Sequence, residues 1–286
     1  LEIAQNSTIE NLAHSGSSRL DINSDKVLTF SNAFEIPDNK SMELIGSGEG
    51  RTIDLPDALK LSGTLKISST GYTLINGMLK LSRGLLDVDK NTIISSHILL
   101  EDNSTVDIAQ DVNLEYKGLS IDINEYQLTF RGSGTFSNSN SIVLSHPNSL
   151  LIFAGDITIA LIEVKGNSAT GKGIRVESAG AKIVNLNFST DTDMANMGLT
   201  FDNDILTDMA NKGETFYLEV ENLNLNSTAK LTGDGNGGWL KVNLLCAGTR
   251  DLSITSTGII TNCTNNSKVL TLHDINVEVV EAINID

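Results

Sequence analysis

The run LKLSGTL begins at Leu59, and LKLSRGLL begins twenty residues later at Leu79, with no helical segment between them. Apolar and polar residues alternate with period two in both copies, the signature of a strand with one face buried. A return after about twenty residues falls in the range of solenoids and stacked arrays. Short runs of the same kind fill most of the chain: VLTF, MELIG, LKIS, HILLED, STVDI, LSIDI, QLTF, SIVL, ITIALIEV, KIVNLNF, LKVNLL and VLTLHDINVEV. Gly, Asn, Asp and Ser separate them, as turn residues should.

Turn chemistry narrows the choice of β architecture. N-G occurs only at Asn76 in INGM and at Asn236 in the Gly-rich loop, and D-G once, at Asp234. A sandwich or meander needs many tight reversals of that type. Looser Gly-Ser, Ser-Asn and Asp-x-Asn corners suit a chain that bends and continues in the same sense. Pro37, Pro56 and Pro147 all fall between the strand runs, where they leave the ladder unbroken. The expected fold is all-β, a parallel β-helix (solenoid) of about fourteen coils at ~20 residues each, with tandem β-sandwiches as the alternative. At ~4.8 Å per layer it would be on the order of 65 Å long.

One stretch breaks the rhythm. TDMANMGLTF starts at Thr192 and TDMANKGETF at Thr207. Each copy reads as a capped helical turn, stopped by Gly and followed by β-like residues. The expected organisation is a β-solenoid over 1–188 and an irregular duplicated insertion over 189–216, partly helical near 189–214. A solenoid continuation with a C-terminal edge then fills 217–286.

Composition constrains partners. Of the 286 residues 40% are hydrophobic but only 5% aromatic, so the expected core is Leu, Ile, Val and Ala in thin similar layers. A formal charge of −16 disfavours phosphate backbones and anionic lipid surfaces, so neither nucleic acid nor membrane insertion is expected. No apolar run reaches the ~20 residues that span a bilayer. The chain begins at Leu1 rather than Met, the pattern expected of a processed or trimmed product. Seven N-x-[ST] sequons occur, including Asn103, Asn226 and Asn262, a number that an Asn- and Ser-rich chain reaches by chance.

Candidate sites are few. Asp191, Asp193, Asp202, Asp204 and Asp208 cluster in the insertion and are the candidate ligands for calcium, which takes six to eight oxygens from such turns. Their spacing fits neither an EF-hand nor a nonapeptide repeat. Cys246 and Cys263 form a candidate disulfide if one coil separates them; two buried thiols are the alternative. GDGNGGW, from Gly233 to Trp239, matches G-x-G-x-x-G, but a strand-like run follows where a dinucleotide site requires a helix. His14, His97, His146 and His273 are isolated, and no catalytic residue stands out. No cofactor is expected beyond that calcium.

The runs QLTFRGSGTFSNSNSIVL and LKLSGTLKISSTGYTLINGMLKLS resemble the passenger regions of bacterial autotransporters and related β-solenoid surface proteins, over about two thirds of the chain. The resemblance lies in the x-L-T-F/L-x-G-x-G-T pattern between Asn/Ser corners. It implies a secreted or surface-exposed location and a structural or adhesive role, and it carries over no functional residue.

The functional expectation is a structural, self-associating extracellular protein whose copies pair head to tail into a fibre or lattice. The alternatives are an adhesin passenger that binds a host or neighbouring-cell ligand, and a β-helix glycan lyase or hydrolase. The last would need paired carboxylates, with Asp202 and Asp204 available. The N-T-D, G-x-D-D and G-H-G signatures of polygalacturonase-like enzymes are missing.

Overall fold

The computed structural model describes residues 1–12, 16–146, 148–164, 173–178 and 181–188, and beyond them the strands from Met197 to Glu278 given below. Among the described residues every regular element is a strand, and the strands pair in parallel. The protein is a parallel β-solenoid. Its chain divides into two compact units, Leu1–Ile121 with Leu128–Ser141, and Asp122–Gln127 with Ile142–Asp286.

In the first unit the chain visits three sheets in turn. The first sheet stacks Glu2–Ile3, Ser18–Ile22, Ser41–Ile45, Thr64–Ile67, Leu85–Val88, Ser104–Ile108 and Gln127–Gly132. The second stacks Ser7–Ile9, Val27–Phe30, Arg51–Asp54, Tyr72–Ile75, Thr92–Ile94, Asn113–Tyr116 and Thr135–Asn138. The third holds Phe34–Ile36, Ala58–Leu61, Met78–Leu81 and His97–Leu100. A strand of four residues directs two side chains inward and two outward, so each strand contributes a pair to the interior. Met42 and Leu44, Leu65 and Ile67, Leu86 and Val88, and Val106 and Ile108 lie one pair above another, each at most 2% exposed.

The twenty-residue repeat is the stacking repeat. Leu59 pairs with Leu79, Lys60 with Lys80 and Leu61 with Leu81 on the third sheet. Similar strand sequences need not stack: VLTF, at Val27–Phe30, belongs to the second sheet, whereas QLTF, within Gln127–Gly132, belongs to the first.

The N-G pair at Asn76 turns a corner instead of making a hairpin. Asn76 and Gly77 both have positive φ, 58° and 40°, and they swing the chain from Tyr72–Ile75 on the second sheet to Met78–Leu81 on the third. A Cβ on Gly77 would lie 1.8 Å from the Leu55 carbonyl oxygen and 2.1 Å from that of Asp57. The corner therefore requires Gly for space as well as for conformation.

Among the described residues, most of the few aromatic side chains lie inside. Phe30 and Phe34 approach to 4.3 Å between centroids, Phe130 and Phe136 to 5.1 Å, and Tyr116 and Phe136 to 5.9 Å. All are buried, so the core is more aromatic than the aliphatic layers expected from composition. Aromatic rings bury more area than any aliphatic side chain, and a scarce supply goes where that area counts.

In the second unit Leu150–Phe153 pairs with Gly173–Val176. Ile142–Leu144, Thr158–Val164, Lys182–Phe188, Tyr217–Leu225 and Trp239–Val242 pair in parallel in that order. Met197–Thr200, Ala229–Thr232, Leu252–Thr255 and Leu270–His273 form a four-stranded parallel sheet. Two strand pairs complete the unit, Leu244–Cys246 with Cys263–Asn265 and Ile259–Thr261 with Asn276–Glu278. Ile157, Ile159, Ile162, Ile174, Ile183 and Leu186 are among its buried side chains. Within the duplicated stretch, Met197–Thr200 is a strand that follows the first TDMAN, and Tyr217–Leu225 starts just past the second copy. The two TDMAN segments themselves, residues 192–196 and 207–211, lie outside the described residues.

Candidate functional surfaces

The outward positions of the first sheet line up into a charged ladder. Arg19 pairs in register with Glu43, Glu43 with Lys66, Lys66 with Asp87, Asp87 with Asp107, and Asp107 with Arg131. Arg19 Nη2 lies 2.7 Å from Glu43 Oε2, and Lys66 Nζ lies 2.8 Å from Asp87 and 2.7 Å from Asp89. Opposite charges on neighbouring strands attract, and like charges placed directly opposite repel. The Glu43 carboxyl is held below its ordinary 4.5 by the Ser68 hydroxyl, which donates to it at 2.8 Å, and by Arg19. Lys66 is pushed up, chiefly by Asp87 and next by Asp89. Asp107 goes the other way: burial raises it above 3.8, and Asp87 beside it adds to the shift.

The second sheet carries an open groove of about 310 Å³ bordered by Glu49, Thr73, Asn91, Asn113 and Glu115. Three of its polar side chains are already engaged. Asn91 Oδ1 accepts the Asn113 N–H at 2.8 Å, Asn113 Oδ1 accepts the Ser137 hydroxyl at 2.6 Å, and Glu115 pairs with Lys117 at 3.0 Å. The same clasp recurs elsewhere. Asn6 Oδ1 accepts the Val27 N–H at 3.0 Å, and Asn76 Nδ2 donates to Asp54 at 2.8 Å. Each of these bonds except the Glu115–Lys117 pair joins one turn to the next. The Asn-rich corners thus tie turns together as well as bending the chain.

The third sheet ends at His97–Leu100, and the side chain of Tyr116 takes over from the missing strand. Its hydroxyl accepts the Ile98 N–H at 3.1 Å and donates to the Leu119 carbonyl at 2.6 Å. Burial pushes that hydroxyl up to about 12, so it remains a donor across the physiological range. The predicted strand LSIDI consequently shrinks to Ile121–Asp122, and Leu119 stands 67% exposed.

Arg51 is the buried charge that reading the sequence missed. It shares inward parity with Ile53, the one signal that could have found it, and it is 0% exposed. Its guanidinium carbon lies 4.7 Å from the centre of the Tyr72 ring, its in-register neighbour on the next turn.

The candidate calcium ligands Asp191, Asp193, Asp202, Asp204 and Asp208 lie outside the described residues. Among the described residues no group of three or more His, Cys, Asp or Glu side chains is arranged to hold a metal ion. Cys246 and Cys263 are brought onto adjacent strands, where the register sets Cys246 opposite Asn265 and Cys263 opposite Leu244. No helix among the described residues is long and apolar enough to cross a membrane. No family model matches the chain, and neither a curated protein nor a solved structure shows significant similarity to it.

Proposed function

We propose that the protein is a structural, self-associating protein of the extracellular surface, a subunit of a fibre or lattice. The observation that supports this reading is the in-register ladder from Arg19 to Arg131 on the first sheet. Six outward side chains recur at a spacing of ~4.8 Å on a parallel-sheet face. A face that repeats along one copy offers the same contact many times to another, which favours extended assembly over a single closed pair. The net charge of −16 opposes approach at low salt, and screening at ~150 mM removes most of that opposition.

Light scattering and negative-stain electron microscopy test this reading across protein concentration at low and physiological salt. Fibres or sheets that form more readily as salt rises would support it. Monomers alone at every concentration and salt would refute it.

A further inference from the structure

Arg51 presents a problem that the fold does not solve with its own groups. The side chain is fully enclosed, and Nε, Nη1 and Nη2 all lack a hydrogen-bond partner. Among the described residues no ion pair involves it. A buried guanidinium with no ion-pair partner strongly opposes folding, and Ile53, which shares its inward parity on the same strand, is apolar and buried. The Tyr72 ring covers one face at 4.7 Å, which offsets only part of that cost. The Tyr72 hydroxyl is committed elsewhere, donating to the Ile45 carbonyl.

The chain makes room for this cation on purpose-built backbone. Gly46, at φ 151°, closes over it: a Cβ there would lie 3.1 Å from Arg51 Nη1 and 2.2 Å from the Ile22 carbonyl oxygen. Its N–H donates to the Ser69 hydroxyl at 3.1 Å, fastening the Gly46–Gly50 loop to the following turn. The guanidinium is thus sealed inside the stack with neither an ion pair nor a hydrogen bond among the described residues.

We infer that Arg51 is the seat of a small monovalent anion of the halide class, bound inside the solenoid as the chain folds. Full enclosure limits the occupant to a species of that size. Water could satisfy the donors, but it leaves the charge uncompensated. A halide does both. The site is independent of any assembly, so it stands or falls apart from the proposed function.

Bromide is the probe. In crystals of the full chain grown with sodium bromide, the anomalous difference map should peak against the Arg51 guanidinium. In solution, thermal unfolding of the wild type should shift upward by about 3 °C for each tenfold increase in bromide beyond its Kd. Sodium acetate of equal ionic strength should give no such shift. Arg51→Met should abolish the difference between the two salts and should melt no lower than wild type in acetate. The crystallographic arm needs only the wild type, so a variant that fails to fold leaves the test intact. No anomalous peak at Arg51, a carboxylate or water in its place, or identical bromide and acetate responses would overturn the assignment.

Discussion

The Tyr116 hydroxyl and the Ile98 amide meet at 3.1 Å, and that bond finishes the third sheet where no further strand arrives. An interior tyrosine here does the work of a strand edge. Tyr116→Phe removes the acceptor and leaves a buried N–H without a partner, at a cost of about 1–3 kcal/mol. Urea denaturation measures it; a loss below a few tenths of a kcal/mol would mean that the edge has another acceptor.

The third sheet separates core from surface within one strand. Leu79 is fully buried, whereas Lys80 faces out and pairs with Glu101 at 3.0 Å. Leu79→Ala should cost about 2–5 kcal/mol, and Lys80→Ala at most about 1 kcal/mol. Comparable losses at the two positions, read from denaturation midpoints, would contradict the assigned faces.

Gly77→Ala should be among the most damaging single-methyl changes. The left-handed φ and the carbonyls of Leu55 and Asp57 both exclude a Cβ. Strain of this kind costs about 1–3 kcal/mol before any clash is counted. A melting temperature within about 0.5 °C of wild type, a shift worth about 0.3 kcal/mol or less, would show that the corner is built differently.

The ladder makes two carboxylates respond to pH in opposite senses. Glu43 has its pKa lowered on folding. Its contribution is present above its ordinary 4.5 and is lost as pH falls through the folded value. Asp107 has its pKa raised. The folded state then holds that proton more tightly than the unfolded chain, so stability falls as pH climbs from about 3.8 through the folded value. Asp107→Asn should therefore stabilise the protein at pH 7 and change little at pH 3. Denaturation at both pH values checks the sign, and equal effects at the two would remove Asp107 from this role.

Much of the architecture was legible because it is local and periodic. The alternation in LKLSG and LKLSR set which residues face inward, and the twenty-residue offset set which residues stack. Scarce hairpin signals pointed away from reversals, and the N-G pair at Asn76 indeed bends a corner. What could not be read depends on neighbours a full turn away. Tyr116 as a sheet terminator, the Asn91–Asn113–Ser137 clasp and the enclosure of Arg51 by Gly46 join residues from 18 to more than twenty positions apart, except for the local Arg51–Gly46 contact. A single strand run carries no mark of such partners. Arg51 in particular reads as an ordinary surface residue until the parity of Ile53 is counted.

The in-register parallel stack is the claim on which every surface and interior assignment rests, and engineered cross-linking tests it most directly. In a background with Cys246 and Cys263 changed to Ser, Lys60→Cys with Lys80→Cys places two thiols on directly opposed positions. Lys60→Cys with Ser82→Cys places them two positions out of step. Adjacent strands bring opposed Cα atoms to about 5 Å, within disulfide reach, and the offset pair to about 8 Å, beyond it. The first pair should oxidise rapidly to an intramolecular bond and the second should not. Failure of the first pair to bridge, or equal bridging by both, would contradict the stack.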